Sequence, residues 1–584
     1  MFPVVDKKSQ GSNTLKKVKL MQTKFRVLAE LGNKLENTKK RTLMVNFVSE
    51  FLESLNPDEI DPATSMILGQ PFPKADDRTL EISWATVRKV VDNLIKVDWK
   101  RFNVTFGRSG DLGATIKSMF EEGKIRRQAT LVKKSLTILE VRHIFEAIAV
   151  TRGSGSRERK ERLLETLLGN ATPLEAKYIV KILIGEMRTG FHEGLMKLAV
   201  SKAFGVPHDL VRKANMITGN IGEVAAVSKA KGREGVSKLR LQIFRPIKPM
   251  LAQIAKNVGD ALSQHGGKTA FEYKLDGARV QIHISKENVR IFSRGLTDVT
   301  ESFPDVVRLV LNQIAAEEAI LEGEIIAVGE WGDPVPFQHL LRRFHRVRNI
   351  EDAAERVPVQ LQLFDLIYLD GRSLIDDPYY ERRGKLKEIS GNVVLIKQII
   401  TVDLGKAEGF LNEAMSCGHE GLVAKRVDSP YTPGVRGKHW FKIKESLEPL
   451  DLVVVAAEYG YGRRHKWLSD YYLAARDPQN DDLVIVGKTF KGLTDTEIIE
   501  MTRRLKELTV QEERRRVTVT PNIVVEVTYN EIQESPKYPC GMALRFARIT
   551  RIRDDKTLEE ADTIQKIKRI YEKQFEKKAR FSKL

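Results

Sequence analysis

The sequence predicts a multidomain fold in three parts: an all-α domain, an α+β domain of antiparallel sheets with helices, and a β domain of the OB type. Apolar residues recur at helical spacing from about residue 25 to 241, and strand and helix patterns alternate from about 270 to 445. Short strands separated by turns then fill residues 450 to 558, and residues 558 to 584 predict a basic C-terminal helix and tail. We place the domains at 1–245, 246–449 and 450–584.

The composition is that of a globular protein with a basic surplus. The chain has 97 Lys and Arg against 78 Asp and Glu, a formal net charge of +19. This surplus favours a polyanionic partner such as nucleic acid, although charge that serves solubility alone explains it about as well. Two cysteines, Cys417 and Cys540, exclude a zinc site with four cysteine ligands and disfavour a disulfide framework.

The ends of the chain carry no pattern that we interpret as a targeting signal. Residues 1 to about 23 are polar and lysine-rich, which predicts a loose arm without a signal peptide. No apolar run reaches the length of about 18 residues that a membrane span needs. The terminal Ser582-Lys583-Leu584 matches a peroxisomal address, which we interpret as coincidence. We therefore expect a cytoplasmic protein.

The helical region contains two candidate phosphate-binding segments. Arg152, Ser154 and Ser156 belong to a loop of small residues that opens onto a helix, where backbone N–H groups and cations can hold a phosphate. An ordinary helix cap explains the same residues equally well. Arg188 lies in the second segment, residues 184–190. Pro246 and Pro249 then break the helical pattern and predict a linker.

The most informative stretch is residues 271–284, FEYKLDGARVQIHI. Asp276-Gly277 predicts a two-residue hairpin between two strands of alternating pattern. Such a turn would pair Lys274 with Arg279. Facing like charges cost stability, but an adjacent cation favours the neutral amine that a nucleophile needs. By itself the hairpin is explained more simply by an exposed lysine.

Further strands of the central region carry charged and aromatic residues on one face. Glu322 and Glu324 share a face, and two such carboxylates repel each other unless a cation or hydroxyl groups satisfy them. Phe364 follows Gln360 and Gln362 on the polar face of its strand, where an aromatic ring can stack on a base or simply pack beneath a helix. We predict that the strand containing Trp440, Lys442 and Lys444 turns these three side chains to one face as a phosphate clamp, although an exposed basic strand fits as well.

Six motifs occur in a fixed order: K-x-D-G at 274–277, S-R-G at 293–295, L-x-G-E at 321–324, F-D-x-I-Y-x-D-G at 364–371, E-G-x-x-x-K at 420–425 and W-x-K-x-K at 440–444. In this order they resemble the covalent nucleotidyltransferases. With the helical region, and with the R-P-x-x-P-M-L-A segment at 245–252, the layout resembles ATP-dependent DNA ligases of the archaeal and eukaryotic replicative type, and most closely the archaeal ones. We predict that the arginine-rich residues 544–556 form the last strand. They contain the final R-F-P-R motif of the family, which reads R-F-A-R here, with Ala547 in place of proline. We expect this change to alter local backbone freedom but not function.

The resemblance implies the reaction and its participants. A lysine–AMP intermediate would form from ATP, AMP would move to the 5′-phosphate of a nick in double-stranded DNA, and the 3′-hydroxyl would displace it. Mg²⁺, or Mn²⁺ in its place, would be the metal. A monomer is implied, and clamp binding is a family expectation only, because the sequence shows no clear clamp-binding peptide.

The resemblance also assigns roles to residues. The nucleophile is Lys274; the nucleotide contacts are Glu272, Arg279, Arg294, Glu324, Phe364, Arg436, Lys442 and Lys444; the metal ligands are Glu324 and Glu420; a further phosphate neighbour is Lys425; and the DNA or accessory contacts are Arg152, Ser154, Ser156, Arg188, Arg545, Arg548 and Lys556.

Three alternatives remain open at this stage. An RNA ligase or capping enzyme would share the lysine chemistry, although the large helical region argues against a capping enzyme. NAD could replace ATP, although bacterial NAD-dependent ligases carry a four-cysteine zinc finger that two cysteines cannot form. A non-catalytic DNA clamp with a decayed pocket is the third. We also predict that the β domain rotates about a hinge near residues 445–451, because one geometry cannot serve all steps.

Overall fold

A computed structural model describes residues 21–73, 76, 78–123, 135–329, 332–335, 337–341, 343–344, 356–444, 447–461, 464–513 and 515–579. Residues 1–20 of the predicted arm and the terminal Ser582-Lys583-Leu584 lie outside these ranges. Within them, no helix is both long and apolar enough to cross a membrane.

The N-terminal region is helical, as its 3.6-residue periodicity predicts. Capping boxes begin two of its helices, at Thr137 and at Thr172. Phe25, Leu28 and Leu35 of the first helix are fully buried in the core of the domain. The helices are α1 (Phe25–Glu36), α2 (Arg41–Ser54), α3 (Ile60–Ile67), α4 (Trp84–Ile95), α5 (Trp99–Ser109), α6 (Leu112–Glu122), α7 (Ile138–Val150), α8 (Ser156–Asn170), α9 (Pro173–Leu183), α10 (Glu193–Phe204), α11 (His208–Thr218) and α12 (Ile221–Ser237).

The segment predicted as a linker is fastened to the central domain. The backbone N–H of Phe244 donates to Nδ1 of His283 (3.0 Å), and that of Ile247 donates to the side chain of Gln281 (2.9 Å). The N–H of Met250 donates to the hydroxyl of Tyr431 (2.9 Å). These bonds fix the path of the chain where it enters the central domain.

The central domain alternates strands and helices. In chain order they are β1 (Leu251–Ile254), α13 (Val258–His265), β2 (Thr269–Lys274), β3 (Ala278–Ser285), β4 (Asn288–Ser293), α14 (Pro304–Gln313), β5 (Glu318–Ala327), α15 (Phe337–Leu341), β6 (Val359–Leu369), β7 (Arg372–Ser373), α16 (Tyr379–Ile389), β8 (Val394–Leu395), β9 (Gln398–Thr401), α17 (Leu404–Ser416), β10 (Gly421–Arg426) and β11 (Arg436–Lys444).

Two sheets organise the central domain. One has the order β1-β11-β10-β2-β9, and the other has the order β4-β3-β5-β6-β7 with β8 added beside β6. Their pairs are antiparallel except β1–β11 and β6–β8. The predicted α+β class with antiparallel sheets is therefore confirmed.

The hairpin predicted at Asp276-Gly277 is wrong. β2 pairs with β9 and β10 in one sheet, whereas β3 pairs with β4 and β5 in the other, so the turn carries the chain from sheet to sheet. Lys274 therefore does not pair with Arg279. The physical reason is burial on both faces: most residues of β2 and β3 are buried, so each strand needs its own sheet neighbours on both edges.

The C-terminal domain is built mainly of strands, which confirms the predicted β class. Its elements are β12 (Leu450–Tyr459), β13 (Leu468–Asp477), β14 (Asp482–Thr489), α18 (Asp495–Glu507), β15 (Thr509–Glu513), β16 (Arg516–Thr528), β17 (Glu531–Glu534), β18 (Met542–Arg545), β19 (Arg548–Ile552) and α19 (Ile564–Ala579). The described strands form one sheet of order β14-β13-β12-β16-β15, with β19 also on β16, and a separate β17–β18 pair.

The arginine-rich stretch predicted as one last strand is two strands. Phe546 adopts a left-handed backbone conformation (φ 55°) between β18 and β19, which a continuous strand does not allow. Ala547 is buried, and its carbonyl accepts a hydrogen bond from the hydroxyl of Thr489 (2.6 Å). Because of this break, Arg545 faces the cavity described below, whereas Arg548 is exposed on β19.

Candidate active site

A cavity of about 1130 Å³ lies where the central domain meets the C-terminal domain. It is lined from the central side by the ends of β2, β3, β4, β5, β10 and β11, and from the C-terminal side by β17, β18 and α19. The predicted nucleotide and metal residues all line it: Glu272, Lys274, Arg279, Arg294, Glu324, Phe364, Glu420, Arg436, Lys442 and Lys444. The fold thus brings together residues that are up to 172 positions apart, as the span from 272 to 444 shows.

Lys274 ends β2 beside the start of β10. Its Nζ lies 2.5 Å from Oε2 of Glu420, which also holds Nζ of Lys444 at 2.5 Å. The N–H of Glu420 donates to the carbonyl of Lys274 (2.9 Å), so the two residues are locked together through their backbones as well. Burial alone would raise the pKa of Glu420, but Lys274 and Lys444 hold that pKa well below its usual value.

Four cations surround Lys442 on the phosphate side of the cavity. Burial lowers the pKa of Lys442, and the charges of Lys444, Lys274, Arg436 and Arg294 lower it further. Like charges concentrate here without enough carboxylates to balance them. Such a cluster is stabilised when an anion such as a polyphosphate binds.

Glu324 lies on β5, directly opposite Arg279 of β3. Burial raises its pKa to about 7, although the charges of Lys274 and Arg279 oppose the rise. In the described part of the chain, its carboxylate has no hydrogen bond or ion pair, and the charges of Glu420 and Asp276 are close enough to add to the rise. A half-buried carboxylate without such a partner, beside two others, suits a hard divalent cation.

The described residues contain no ready-made group of three or more His, Cys, Asp or Glu ligands. Mg²⁺ commonly binds through one or two carboxylates and completes its shell with water and substrate phosphates. Glu324 and Glu420 therefore fit such an ion once a nucleotide is present.

Arg279 reaches the cavity but its guanidinium is already engaged. It lies 2.5 Å from the carboxylate of Glu322 and donates to the carbonyl of Met250 (2.7 Å). Burial opposes its charge, yet Glu322 and its neighbours keep the pKa of Arg279 above its usual range. Arg279 thus satisfies Glu322, one of the two carboxylates that share a strand face. The rings of Phe364 and Trp440 lie 5.2 and 5.4 Å from the guanidinium.

Phe364 lines the cavity at a bulge in β6. Glu322 pairs with Asp365 whereas Gly323 pairs with Leu363, so Phe364 has no partner on β5. Its ring packs edge-on against Trp440 (centroids 6.3 Å apart). Trp440 itself is buried, unlike the exposed position that its predicted clamp face implied.

Glu272 and Lys425 form a buried ion pair beneath this aromatic wall (2.6 Å). Lys425 was expected to be a phosphate neighbour. Instead its amine contacts Glu272 and the rings of Phe364 and Trp440, both 4.5 Å away. Its burial between two strands explains the difference.

Sequence reasoning missed most of the C-terminal wall of the cavity. Arg545 lies 2.5 Å from Glu531 of β17 and over the ring of Phe337 of the central domain (5.8 Å). Tyr571 of α19 donates to Glu534 (3.0 Å) and also lines the cavity. Only the basic, amphipathic pattern of residues 558–584 signalled a helix there, and nothing in it pointed to the cavity.

The other predicted DNA contacts lie elsewhere. Arg152 and Ser154 are exposed in the loop before α8, and Ser156 begins that helix. Arg188 contacts Glu186 and the carbonyl of Gly110. Arg548 is exposed on β19, and Lys556 is paired with Asp451 (2.6 Å). None of these residues lines the cavity, and their contacts with DNA stay predictions.

Three family models match the chain in the same order as its three structural parts. Residues 24–199 match the DNA ligase N terminus, residues 249–444 match the ATP dependent DNA ligase domain, and residues 464–556 match the ATP dependent DNA ligase C terminal region. The chain belongs to the ATP-dependent DNA ligase family. The resemblance predicted from the motifs is confirmed, and joining DNA at nicks with ATP is the activity of this family.

Relatives of this ligase cover nearly its full length. The DNA ligase of Thermococcus fumicolans is 44% identical over 94% of this chain and 98% of its own length. DNA ligase 1 of Korarchaeum cryptofilum is 46% identical over the same shares of each chain. Among solved structures, Pmar-Lig_PreS3 is similar in fold, with a TM-score of 0.55 at 17% identity over 90% of this chain and 99% of that one.

Proposed function

We propose that this ligase carries AMP on Lys274 and seals nicks in duplex DNA in three steps. The observation that carries the proposal is the position of the Lys274 amine. It lies in the cavity, ion-paired with Glu420 and close to the cations around Lys442. A nucleophile beside a polycationic pocket suits attack on a nucleoside triphosphate.

In the first step, Nζ of Lys274 attacks the α-phosphorus of ATP. The bond from that phosphorus to the pyrophosphate oxygen breaks, and a phosphoramidate between lysine and AMP forms. Lys442, Lys444, Arg294 and Arg436 neutralise the charge on the phosphates and orient the leaving pyrophosphate. Lys274 must first lose its proton to water, because the ammonium form has no lone pair with which to attack.

Glu324 and Glu420 would hold the divalent cation, which we propose to be Mg²⁺, with Mn²⁺ able to replace it. A bound cation supplies charge neutralisation on the phosphate oxygens. Glu420 keeps negative charge next to Lys274, so its position matters even before a nucleotide binds.

In the second step, an oxygen of the 5′-phosphate at the nick attacks the AMP phosphorus, and Lys274 leaves and takes up a proton. In the third, the 3′-hydroxyl oxygen attacks the 5′-phosphate, AMP leaves, and the phosphodiester bond forms. The exposed cations Arg294 and Arg436 are placed to contact the DNA phosphates during both steps.

The C-terminal domain must move between the first step and the others. In this structure Arg545, Phe546 and Tyr571 line the cavity, and we propose that a bound duplex takes their place. We propose rotation near residues 445–451; residues 445 and 446 lie outside the described part of the chain. Arg152, Ser154, Ser156 and Arg188 of the helical domain, with Arg548 and Lys556, are proposed as DNA or accessory contacts.

The remaining proposals rest on sequence alone. We propose that the ligase acts as a monomer in the cytoplasm, with ATP as the donor, and that a sliding clamp is a further partner. Each is an expectation drawn from the family.

The test uses ATP labelled on the α-phosphate, Mg²⁺ and a denaturing gel. Label should stay on the wild type and not on Lys274→Ala, and nicked duplex DNA should then remove the label and become sealed. No label with ATP, but label with NAD, would overturn ATP as donor. No label with any donor would favour the non-catalytic clamp, and transfer to RNA ends alone would favour an RNA ligase.

A further inference from the structure

A buried polar network lies behind the wall of the cavity that the family resemblance assigns to adenine. Its centre is Glu272, which is 2% exposed. One carboxylate oxygen lies 2.6 Å from Nζ of Lys425. The other accepts hydrogen bonds from the hydroxyl of Tyr379 and from the amide of Gln398 (3.2 Å), and Gln398 also donates to the Tyr379 hydroxyl (2.6 Å). Three elements, β9, β10 and α16, thus converge on one carboxylate.

The number of acceptor positions on Glu272 matters. A carboxylate offers about four lone-pair positions. Lys425, Tyr379 and Gln398 take three of them, and Glu272 lines the cavity. One position is left for a ligand. A single N–H donor on the ligand therefore satisfies the carboxylate completely.

Each supporting residue is held in the state that this arrangement needs. Burial raises the pKa of Tyr379 well above its usual value, so the hydroxyl stays protonated and donates. Gln398 lies directly opposite Glu272 in the β2–β9 ladder, which fixes its approach. Lys425 is fully buried, and burial lowers its pKa, but the charges of Glu272 and Asp365 oppose this effect.

Lys425 also supports the ring that faces the base. Its amine lies 4.5 Å from the centroids of Phe364 and Trp440 and 4.7 Å from that of Tyr379. Such contacts stabilise a cation that has lost its water. Lys425 therefore positions both Glu272, which accepts a hydrogen bond from the edge of the base, and Phe364, whose ring packs against the face of the base.

We propose that Lys425, Tyr379 and Gln398 are positioning residues that fix Glu272 as an acceptor with one free position, which takes the 6-amino group of adenine and so sets the base specificity of the first step. This inference rests on the proposed function, in which Lys274 takes AMP from ATP with the base against Glu272 and Phe364. It adds the residues that make this pocket selective.

The chemistry of the base decides the selection. A purine with hydrogen at C6 leaves the free position of Glu272 buried without a donor, and a purine with oxygen at C6 places two acceptors against each other. Leaving a buried acceptor unpaired weakens use of that nucleotide by about 10- to 100-fold. Without its supports, Glu272 can turn or bind water, and the penalty for a missing amino group should shrink.

The experiment measures kcat/KM of label transfer to the full-length protein from ATP and from purine riboside triphosphate, which lacks the 6-amino group. The variants are Tyr379→Phe, Gln398→Leu and Lys425→Met. We expect the wild type to prefer ATP by about 10- to 100-fold, as for any unpaired buried acceptor. In the variants, kcat/KM for ATP should fall while that for the analogue changes little, so the preference shrinks to a few-fold.

Lys181→Met is the matched control. Lys181 is also a buried lysine paired with carboxylates, Glu36 and Asp111 (both 2.6 Å), but it lies in the helical domain. Its loss should lower the melting temperature and leave the ATP preference unchanged.

If the three residues only support the fold, kcat/KM should fall by the same factor for ATP and for the analogue. An unchanged preference for ATP in all three variants would therefore overturn the inference. Tyr379→Phe removes only a hydroxyl, so it provides the test if Lys425→Met fails to fold. If the wild-type protein forms no labelled adduct with ATP, the proposed function itself is overturned. This outcome is measured on the wild type alone and does not depend on the variants.

Discussion

Arg279 shows how burial changes the role of a charged side chain. Its guanidinium lies near the rings of Phe364 and Trp440 and is bound to the buried carboxylate of Glu322. These contacts hold Arg279 in place before any phosphate binds in the cavity. Its first contribution is therefore to folding of the central domain.

Replacing Arg279 by alanine should strongly destabilise the central domain. Glu322 would remain charged and buried without a partner, which costs about 3–5 kcal/mol. The double variant Arg279→Met/Glu322→Leu should cost less, because no unpaired charge remains. Urea unfolding of the three proteins tests this. If Arg279→Ala keeps wild-type stability and only raises KM for ATP, Arg279 is a phosphate contact and not a support.

His283, which holds the segment entering the central domain, should make the stability of the protein depend on pH. It is fully buried, accepts the N–H of Phe244, and burial lowers its pKa to about 3. The unfolded chain has the ordinary histidine pKa of about 6.5, so between these values the unfolded state binds more protons. Stability should therefore fall as the pH drops below about 6.5, by up to about 1.4 kcal/mol per pH unit for this group.

Calorimetric melting of the wild type and His283→Gln between pH 7.5 and pH 5 checks this pH dependence. The wild type should lose more degrees over that range than the variant. His265 and His419, whose pKa values burial also lowers to about 4, keep some pH dependence in both proteins. Parallel curves would contradict a role for His283.

At the scale of elements, the turn between β2 and β3 decides where the nucleophile lies. It passes so close to β5 that a Cβ on Gly277 would lie 2.5 Å from the carbonyl oxygen of Ile325 and 2.8 Å from the side chain of Ile326. Glycine is required here for close approach, not for a hairpin. The same approach sets Lys274 near Glu324 of β5.

Gly277→Ala should therefore displace the turn and slow adduct formation. Misplacing a reacting group by about 1 Å can cost on the order of 100-fold in rate. The control is Gly384→Ala on α16, where a Cβ would meet nothing within 4 Å. Single-turnover label transfer from ATP measures both variants. Equal rates for Gly277→Ala and the wild type would show that the turn can absorb the methyl group.

At the scale of the whole molecule, the cavity exists only because two domains meet. Arg545 reaches Phe337 of the central domain, and Tyr571 of α19 lines the cavity from the same C-terminal domain. The helical domain is joined to the central domain by ion pairs such as Lys248–Glu193 (2.5 Å). In the described residues, the C-terminal domain therefore forms one wall of the cavity.

Binding of nicked DNA should open this arrangement. The small-angle scattering profile of the ligase with ATP should match the profile calculated from this structure. For the complex with a nicked duplex, neutron scattering in a solvent that contrast-matches the DNA gives the profile of the protein alone, and this profile should differ. The duplex needs the space that Arg545 and Phe546 fill. Identical protein profiles in the two states would contradict rotation of the C-terminal domain.

Much of the site was predictable from sequence because its motifs are local. The K-x-D-G, L-x-G-E and W-x-K-x-K segments each place a charged group on a strand, and the family order indicated which segments belong together. The classes of the three domains followed from periodicity. The pairing of β2 was not predictable, because a D-G turn looks the same whether the next strand pairs with the last one or joins another sheet.

The sequence by itself determined the three-part layout and the family, and it predicts Lys274 as the nucleophile, because each depends on short segments and their order. Tertiary structure alone decided which groups meet: Lys274 with Glu420, Glu272 with Lys425, and Arg279 with Glu322. It also brought Tyr571 of the last helix to the nucleotide cavity. These contacts join strands far apart in the chain, and burial and sheet register, which no local pattern records, select them.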